Sequence, residues 1–396
     1  MTVADVPTLS YDPFTTNDPD ERYAQYRELR AAGPVVHLSY VGVYATGRYD
    51  EVKAALGEHD TFISGEGVGF NDIANDVVRG STLGSDSPEH EVLRGVVATG
   101  LQPRAMRARH DEIAEIARGV VGTALARGDV DGVAHLAQAM PTAVVPDILG
   151  LPDRHRDELI TWAKGGTDLL GPVNERTPRN AELSGCISQF AVELVEGREF
   201  APGSLGDQVL SAADRGEIAP EKCVILMNDY LGPSMETTAT AIGHLLVLFA
   251  QHPEQWEALR AQPGLVGSAI NEVLRFQSPV RGFTRVARRD TALGGILIPA
   301  GARLWTVVAS ANRDERHWNN PDVFDFRRNP IDHLAFGYGS HGCAGQGVAR
   351  LEMHALIHAL LDSVERFELT AAPVVAPNSM LNTWDSVPLR LVPRGE

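Results

Sequence analysis

From Phe336 to Arg350 the chain reads Phe-Gly-Tyr-Gly-Ser-His-Gly-Cys-Ala-Gly-Gln-Gly-Val-Ala-Arg, and no other stretch restricts the fold as much. Glycines at 337, 339, 342 and 345 surround one cysteine, Cys343, at the start of a segment with helical period. Glycine permits φ > 0 and lets backbone approach a flat object closely. A helix starting after Cys343 would aim N–H groups and its positive end at the sulfur, favouring a thiolate. A buried structural cysteine beside a turn fits the same residues. Zinc does not, because only His341, two residues away, stands near ligand spacing.

The rest of the chain sets limits. Its 396 residues are 43% hydrophobic and 22% charged, which excludes wholesale disorder and fibrous folds. A net charge of -17 argues against nucleic acid as the partner. Lys53, Lys164 and Lys222 are the only lysines, so any basic patch is an arginine patch. The three cysteines do not form a disulfide framework; Cys186 and Cys223 read as small core residues. Met1–Asp5 lacks the basic start of a leader, and no apolar run of ~18 residues would span a bilayer. The expectation is a soluble, cytoplasmic protein that does not meet a membrane.

The hydrophobic pattern is mostly helical. Glu21–Ala32 reads as a helix stopped by Gly33-Pro34, followed by a hairpin of Val35–Leu38 and Val41–Thr46. Helical period then covers 88–100, 104–127, 132–149, 153–170, 179–197, 219–251, 253–261, 265–276 and 343–364. Strand signal returns at Leu293–Ile298, Arg303–Val308 and Pro388–Val392. This predicts one mainly α body, residues 1–396, with a smaller β portion and no separable domain. As a helix, 219–251 would run ~50 Å, across the whole molecule. Pro233 inside it removes a donor and clashes with the Asp229 carbonyl, so either two helices meet there or one is kinked at a functional site.

The Phe336–Arg350 stretch resembles the signature of the cytochrome P-450 haem-thiolate monooxygenases, F-G-x-G-x-H-x-C-x-G-x-x-x-A-R, at every fixed position. Glu272-Val273-Leu274-Arg275 is similar to the family's E-x-x-R, Phe324–Arg328 to its meander, and Ala311–Asp314 is a further family-like stretch. The resemblance implies a single-domain P-450 fold with a long central helix over a haem b. Cys343 is then the axial iron ligand, and Glu272, Arg275 and Arg328 form a buried ion network. His90 and Arg94, in an H-x-x-x-R pattern, join Arg285 and His341 as propionate partners, because buried carboxylates need donors.

On the central helix Glu236-Thr237 resembles the family's acid–alcohol pair, which organises proton delivery for oxygen activation. Pro233-Ser234 replaces the two small residues usual just upstream, which opens a peroxide-driven route beside the usual one. Electrons would come from NAD(P)H through a separate redox partner, or oxidant from H2O2. An acidic ferredoxin or flavoprotein reductase is expected to dock near Arg104, Arg107 and Arg109.

Several stretches resemble bacterial enzymes that O-demethylate methoxylated aromatics. The pocket walls expected from this are Val68, Phe70, Asp229, Gly232, Pro233, Val280, Phe283, Leu381 and Trp384, with Phe70, Phe283 and Trp384 as stacking candidates. Two acids near the pocket, Glu66 and Asp229, favour a neutral methoxyphenol of guaiacol or syringol type over a benzoate; Arg281 is the residue that would reverse this. The alternatives are a hydroxylase of another small apolar molecule and a non-catalytic haem carrier or sensor. Glu236-Thr237 argues against the last, because a carrier needs no proton relay.

Overall fold

The first helix shows how local signals set the frame. Asp18 caps it by accepting from the Asp20 and Glu21 N–H groups, Pro19 opens it, and it stops at Ala32 before Gly33. The computed structural model describes residues 6–16 and 18–395; Met1–Asp5, read above as lacking a leader, lie outside them. Helices dominate. A six-stranded sheet lies to one side, ordered Thr8–Leu9, Val36–Leu38, Val43–Thr46, Arg303–Thr306, Phe283–Ala287, Phe62–Ile63. The C-terminal strand Pro388–Pro393 lies between Val364–Leu369 and Asp129–Asp131. No helix among the described residues is long and apolar enough to cross a membrane.

The 219–251 segment forms two helices, Lys222–Leu231 and Pro233–Gln251. Gly232 joins them with helical dihedrals, φ -65 and ψ -64, so the chain carries on through a fault in its hydrogen-bond ladder. From Met235 to Phe249 nearly every side chain is buried, as befits a helix surrounded by protein. Other long segments break similarly. The 104–127 segment divides at Arg109, whose N–H turns back to the Met106 carbonyl at 3.1 Å. The 132–149 segment opens with a wide turn at Val133–Ala137. The 153–170 segment becomes helical only at Leu159, after His155 at φ 64. Tyr49–Gly57, Asp72–Val78 and Leu205–Asp214 are helices that the periodicity does not reveal.

The main core joins the central helix to Val266–Phe276, Gln346–Ser363 and the helices around them. One group in it is out of keeping. Glu352, on Gln346–Ser363, is fully buried and neither carboxylate oxygen has a partner. Burial pushes its pKa up to about 8, so the folded chain keeps a proton there that the unfolded chain releases near its ordinary value. This group's contribution therefore falls as pH rises from ~4.5 to about 8. Glu352→Gln is expected to flatten that slope, raising stability at pH 8 by up to ~4 kcal/mol and changing little at pH 5. Denaturant midpoints at the two pH values check this. An unchanged slope would place the pH dependence in other buried acids.

Candidate active site

Cys343 is delivered by a loop whose glycines divide the work. Gly337 and Gly339 adopt φ +72 and +73, and a Cβ on Gly339 would meet the Leu56 carbonyl at 2.8 Å. Gly342 and Gly345 have ordinary negative φ, so the left-handed freedom is used only at the first two. The Cys343 N–H donates to the Phe336 carbonyl at 2.7 Å, which closes the loop. The sulfur lines the main cavity, of about 380 Å³. Burial raises the Cys343 thiol pKa; the backbone N–H groups of Gly345 and Gln346 and the Arg94 guanidinium pull the other way. A positive metal ion at the sulfur would complete what those donors begin.

Around the sulfur's loop the cavity collects bases: Arg94, Arg285 and His341. Arg285 is buried, donates to the Thr284 carbonyl at 2.8 Å and, among the described residues, meets no carboxylate in an ion pair. Burial lowers its pKa to about 10. His341 lies with its ring centroid 4.1 Å from that of His90. Burial, then Arg285, His90 and Arg94, depress its pKa to about 3. The His90 Nε2 atom is buried without a partner, and Arg94 donates to the Gly342 carbonyl. An uncompensated buried cation and an orphaned imidazole are unfavourable unless an anion joins them. The residues present thus fit a haem, with its iron at Cys343 and its propionates among His90, Arg94, Arg285 and His341.

Behind this loop Glu272 and Arg275, both fully buried, form a two-pronged pair at 2.7 and 2.8 Å. Arg328 Nε and the Asp325 N–H each donate to Glu272 Oε1 at 3.1 Å. Asn312, in the family-like Ala311–Asp314 stretch, ties the network forward. Its carbonyl accepts from Arg275 at 2.9 Å, and its amide oxygen accepts the Leu334 N–H at 2.8 Å, just before the cysteine loop.

The central helix supplies the other wall. Gly232, Pro233, Ser234, Thr237 and Thr238 line the cavity. The Thr237 hydroxyl donates to the Pro233 carbonyl at 2.9 Å, while Ser234 Oγ is buried and unpartnered. Glu236 is buried but does not line the cavity, and burial lifts its pKa to about 7. Asp229 does line it, its pKa raised by burial to about 6. One of its oxygens accepts the Thr82 N–H at 2.8 Å, fastening the loop after Gly80 to the helix beside the Gly232 fault.

Val280 and Phe283 are also on the wall. Four expected residues are not. Val68 and Phe70 are turned away because Gly67, at φ +106, and Gly69, pressed on Leu170, fold their loop back onto the sheet. The Phe70 ring packs 5.1 Å from Phe14 and 5.5 Å from Trp305. Leu381 is in the core, and the Trp384 indole donates to His244 Nδ1 at 2.9 Å on another face of the central helix. Glu66 is exposed and off the cavity. Arg281 also leaves it, donating to the Tyr26 hydroxyl at 2.8 Å and to the Ser379 carbonyl at 3.1 Å. The expected list omits a polar strip on the wall: Asn228, Ser184 and Ser188. Asn228 donates to Ser188 at 3.4 Å and its Oδ1 has no partner.

Comparison with known proteins agrees with this geometry. Residues 264–393 match the family described as Cytochrome P450. The chain is 35% identical over 394 residues to cytochrome p450 CYP199A2 of Rhodopseudomonas palustris, covering 98% of this chain and 96% of that one. It is 29% identical to the beta-dihydromenaquinone-9 omega-hydroxylase of Mycobacterium tuberculosis, over 97% of this chain and 79% of the relative. The solved structure of Mycobacterium marinum cytochrome P450 CYP268A2, in complex with pseudoionone, superposes with a TM-score of 0.89 at 27% identity, covering 99% and 100% of the two chains. Likeness along the whole length, on a fold that sets one cysteine sulfur beneath two backbone amides in the main cavity, shows that the chain belongs to the cytochrome P450 monooxygenase family.

Proposed function

We propose that residues 1–396 act as one catalytic unit that O-demethylates a small neutral methoxyphenol of guaiacol or syringol type. The products are a catechol-type phenol and formaldehyde. The single observation that carries this is how charge is divided in the cavity. Its bases, Arg94, Arg285 and His341, gather at the propionate end, whereas the helix side presents Asp229, the orphaned Asn228 Oδ1 and the unpartnered Ser234 hydroxyl. A substrate carboxylate would meet the Asp229 acid there; Arg281 is turned away, and the nearest base, Arg94, already donates to the Gly342 carbonyl and feels Asp229. A phenolic hydroxyl can donate to Asn228, leaving the methoxy group towards Thr237. The relatives' names range from a menaquinone hydroxylase to a pseudoionone complex, so the substrate reading rests on this chain's own cavity.

The haem, bound through Cys343, supplies oxygen activation. In our reading Val280 and Phe283 hold the ring, Thr237 and Ser234 organise hydroxyls and water at the oxygen site, and Glu236 holds the proton to be delivered. With O2 and two electrons from NAD(P)H, one oxygen atom would enter the substrate methyl C–H and the other leave as water; the hemiacetal so formed would then collapse to phenol and formaldehyde. Spectral titration with guaiacol, syringol and 4-methoxybenzoate is expected to give a near-complete Soret shift with a methoxyphenol alone. A preference for the benzoate would withdraw the neutral-phenol reading.

A peroxide-driven reaction on the same substrates is the second reading. It is favoured by the buried Ser234 hydroxyl and the Pro233 fault beside Thr237. For the electron-transfer route, the docking patch is Arg104 and Arg107, both exposed, with Arg109 bonded to Glu112 at 3.3 Å. Met106 on the same helix packs over Gly347, four residues past Cys343. Reversing the charge of all three arginines is expected to lower partner-driven turnover at least about tenfold without changing the substrate titration. Equal turnover would move the docking face elsewhere.

A further inference from the structure

Glu236 and Thr237 are neighbours on the Pro233–Gln251 helix, yet their side chains part company. Thr237 is on the cavity wall; Glu236 faces the C-terminal turn that ends at Thr383. Glu236 Oε1 accepts from the Thr383 hydroxyl at 3.4 Å, and that hydroxyl accepts from Thr240, one helical turn on, at 2.9 Å. A hydroxyl has one proton to give, so the bond from Thr240 directs the Thr383 proton to Glu236. The other carboxyl oxygen, Oε2, is buried with no partner.

The turn bearing Thr383 is itself fixed. The Ser379 N–H donates to Asp168 at 2.6 Å, and the Asn382 amide donates to the Ser278 carbonyl at 2.8 Å. Two residues beyond Thr383, Asp385 pairs with Lys164 at 3.5 Å, where both side chains reach solvent. Lys164 is also the cation whose field acts on Glu236.

We propose that Thr383, oriented by Thr240, is a positioning residue that holds the Glu236 carboxyl off the cavity, so that the C-terminal turn governs when this acid can serve the oxygen site. The inference rests on the reading of Glu236 as the proton donor. Glu236 gives its proton towards the Thr237 side of the helix and takes one back from water at the Lys164–Asp385 edge, with no net change in the protein.

Thr383→Val removes the hydroxyl and keeps the shape. In the full-length haem-loaded protein supplied with a ferredoxin and its reductase, an acid no longer timed by the turn is expected to raise peroxide released per NADH consumed by about three- to tenfold, with Thr383→Ser restoring the wild-type ratio. The second readout is independent of turnover. The infrared carboxyl stretch of protonated Glu236, assigned with Glu236→Gln, is expected to move to higher wavenumber in Thr383→Val and to return in Thr383→Ser. An unmoved band together with an unchanged peroxide ratio overturns the proposal. Should Thr383→Val fail to fold, Thr240→Val leaves the turn intact and is expected to shift the same band; no shift there also overturns it. The band is read without substrate, so a failed methoxyphenol titration leaves this test standing. Unaltered turnover in Glu236→Gln sinks the donor reading without touching the band.

Discussion

Cys343→Ser is expected to leave a folded protein that binds haem weakly and turns over no substrate above background. Serine fills nearly the same volume, and the turn that carries it depends on Gly337, Gly339 and the bond from the residue 343 N–H to the Phe336 carbonyl, none of which needs sulfur. What changes is the ligand's charge. The Gly345 and Gln346 N–H groups and Arg94 stabilise an anion at this point, and an alcohol is not ionised there. Far-UV circular dichroism should match the wild type, whereas the Soret band of the reduced, carbon monoxide-bound form should shift away from the thiolate position. Retained turnover with an unshifted band would mean that Cys343 is not the ligand.

Glu272→Gln has the largest expected effect on stability, a loss of about 3–5 kcal/mol. The carboxylate receives donors from Arg275, Arg328 and the Asp325 N–H, with both members of the first pair fully buried. An amide of equal size keeps the volume, removes the negative charge, and points N–H groups at a guanidinium that has nowhere to go. Asn312 connects Arg275 to the Leu334 N–H, so the damage is expected to reach the cysteine loop and lower haem content as well. Arg275→Lys should fail to substitute, because an ammonium cannot make the two-pronged contact. Denaturant midpoints and haem absorbance per chain measure both effects; a loss below ~1 kcal/mol would show that the network is dispensable.

The parts of the site readable in the sequence are those built from contiguous chain. Gly337 to Cys343 forms one turn, and Glu272 and Arg275 lie three apart on one helix, so spacing alone places them on a common face. The mainly α frame was legible too, because long periodic runs survive even where Arg109 or Gly232 interrupts them. The substrate wall was not. Whether Phe70 faces the cavity is decided by the backbone at Gly67 and by contact with Leu170 and Trp305, which are distant in sequence. Asn228 and Ser188 meet across two helices 40 residues apart, and Thr383 reaches Glu236 across 147. No local pattern carries such pairings.

The Asp229–Thr82 fastening has a kinetic side. It joins a cavity loop to the central helix at the point where its ladder of bonds is already broken. Thr82 and Asp229 both line the cavity, so a ligand that displaces Thr82 would also loosen that carboxylate. The carboxylate is held there by the Thr82 N–H and by the hydroxyls of Ser81 and Thr82, so a ligand seated against this corner competes with several donors at once, and its rate of exchange is expected to depend on them as well as on its affinity.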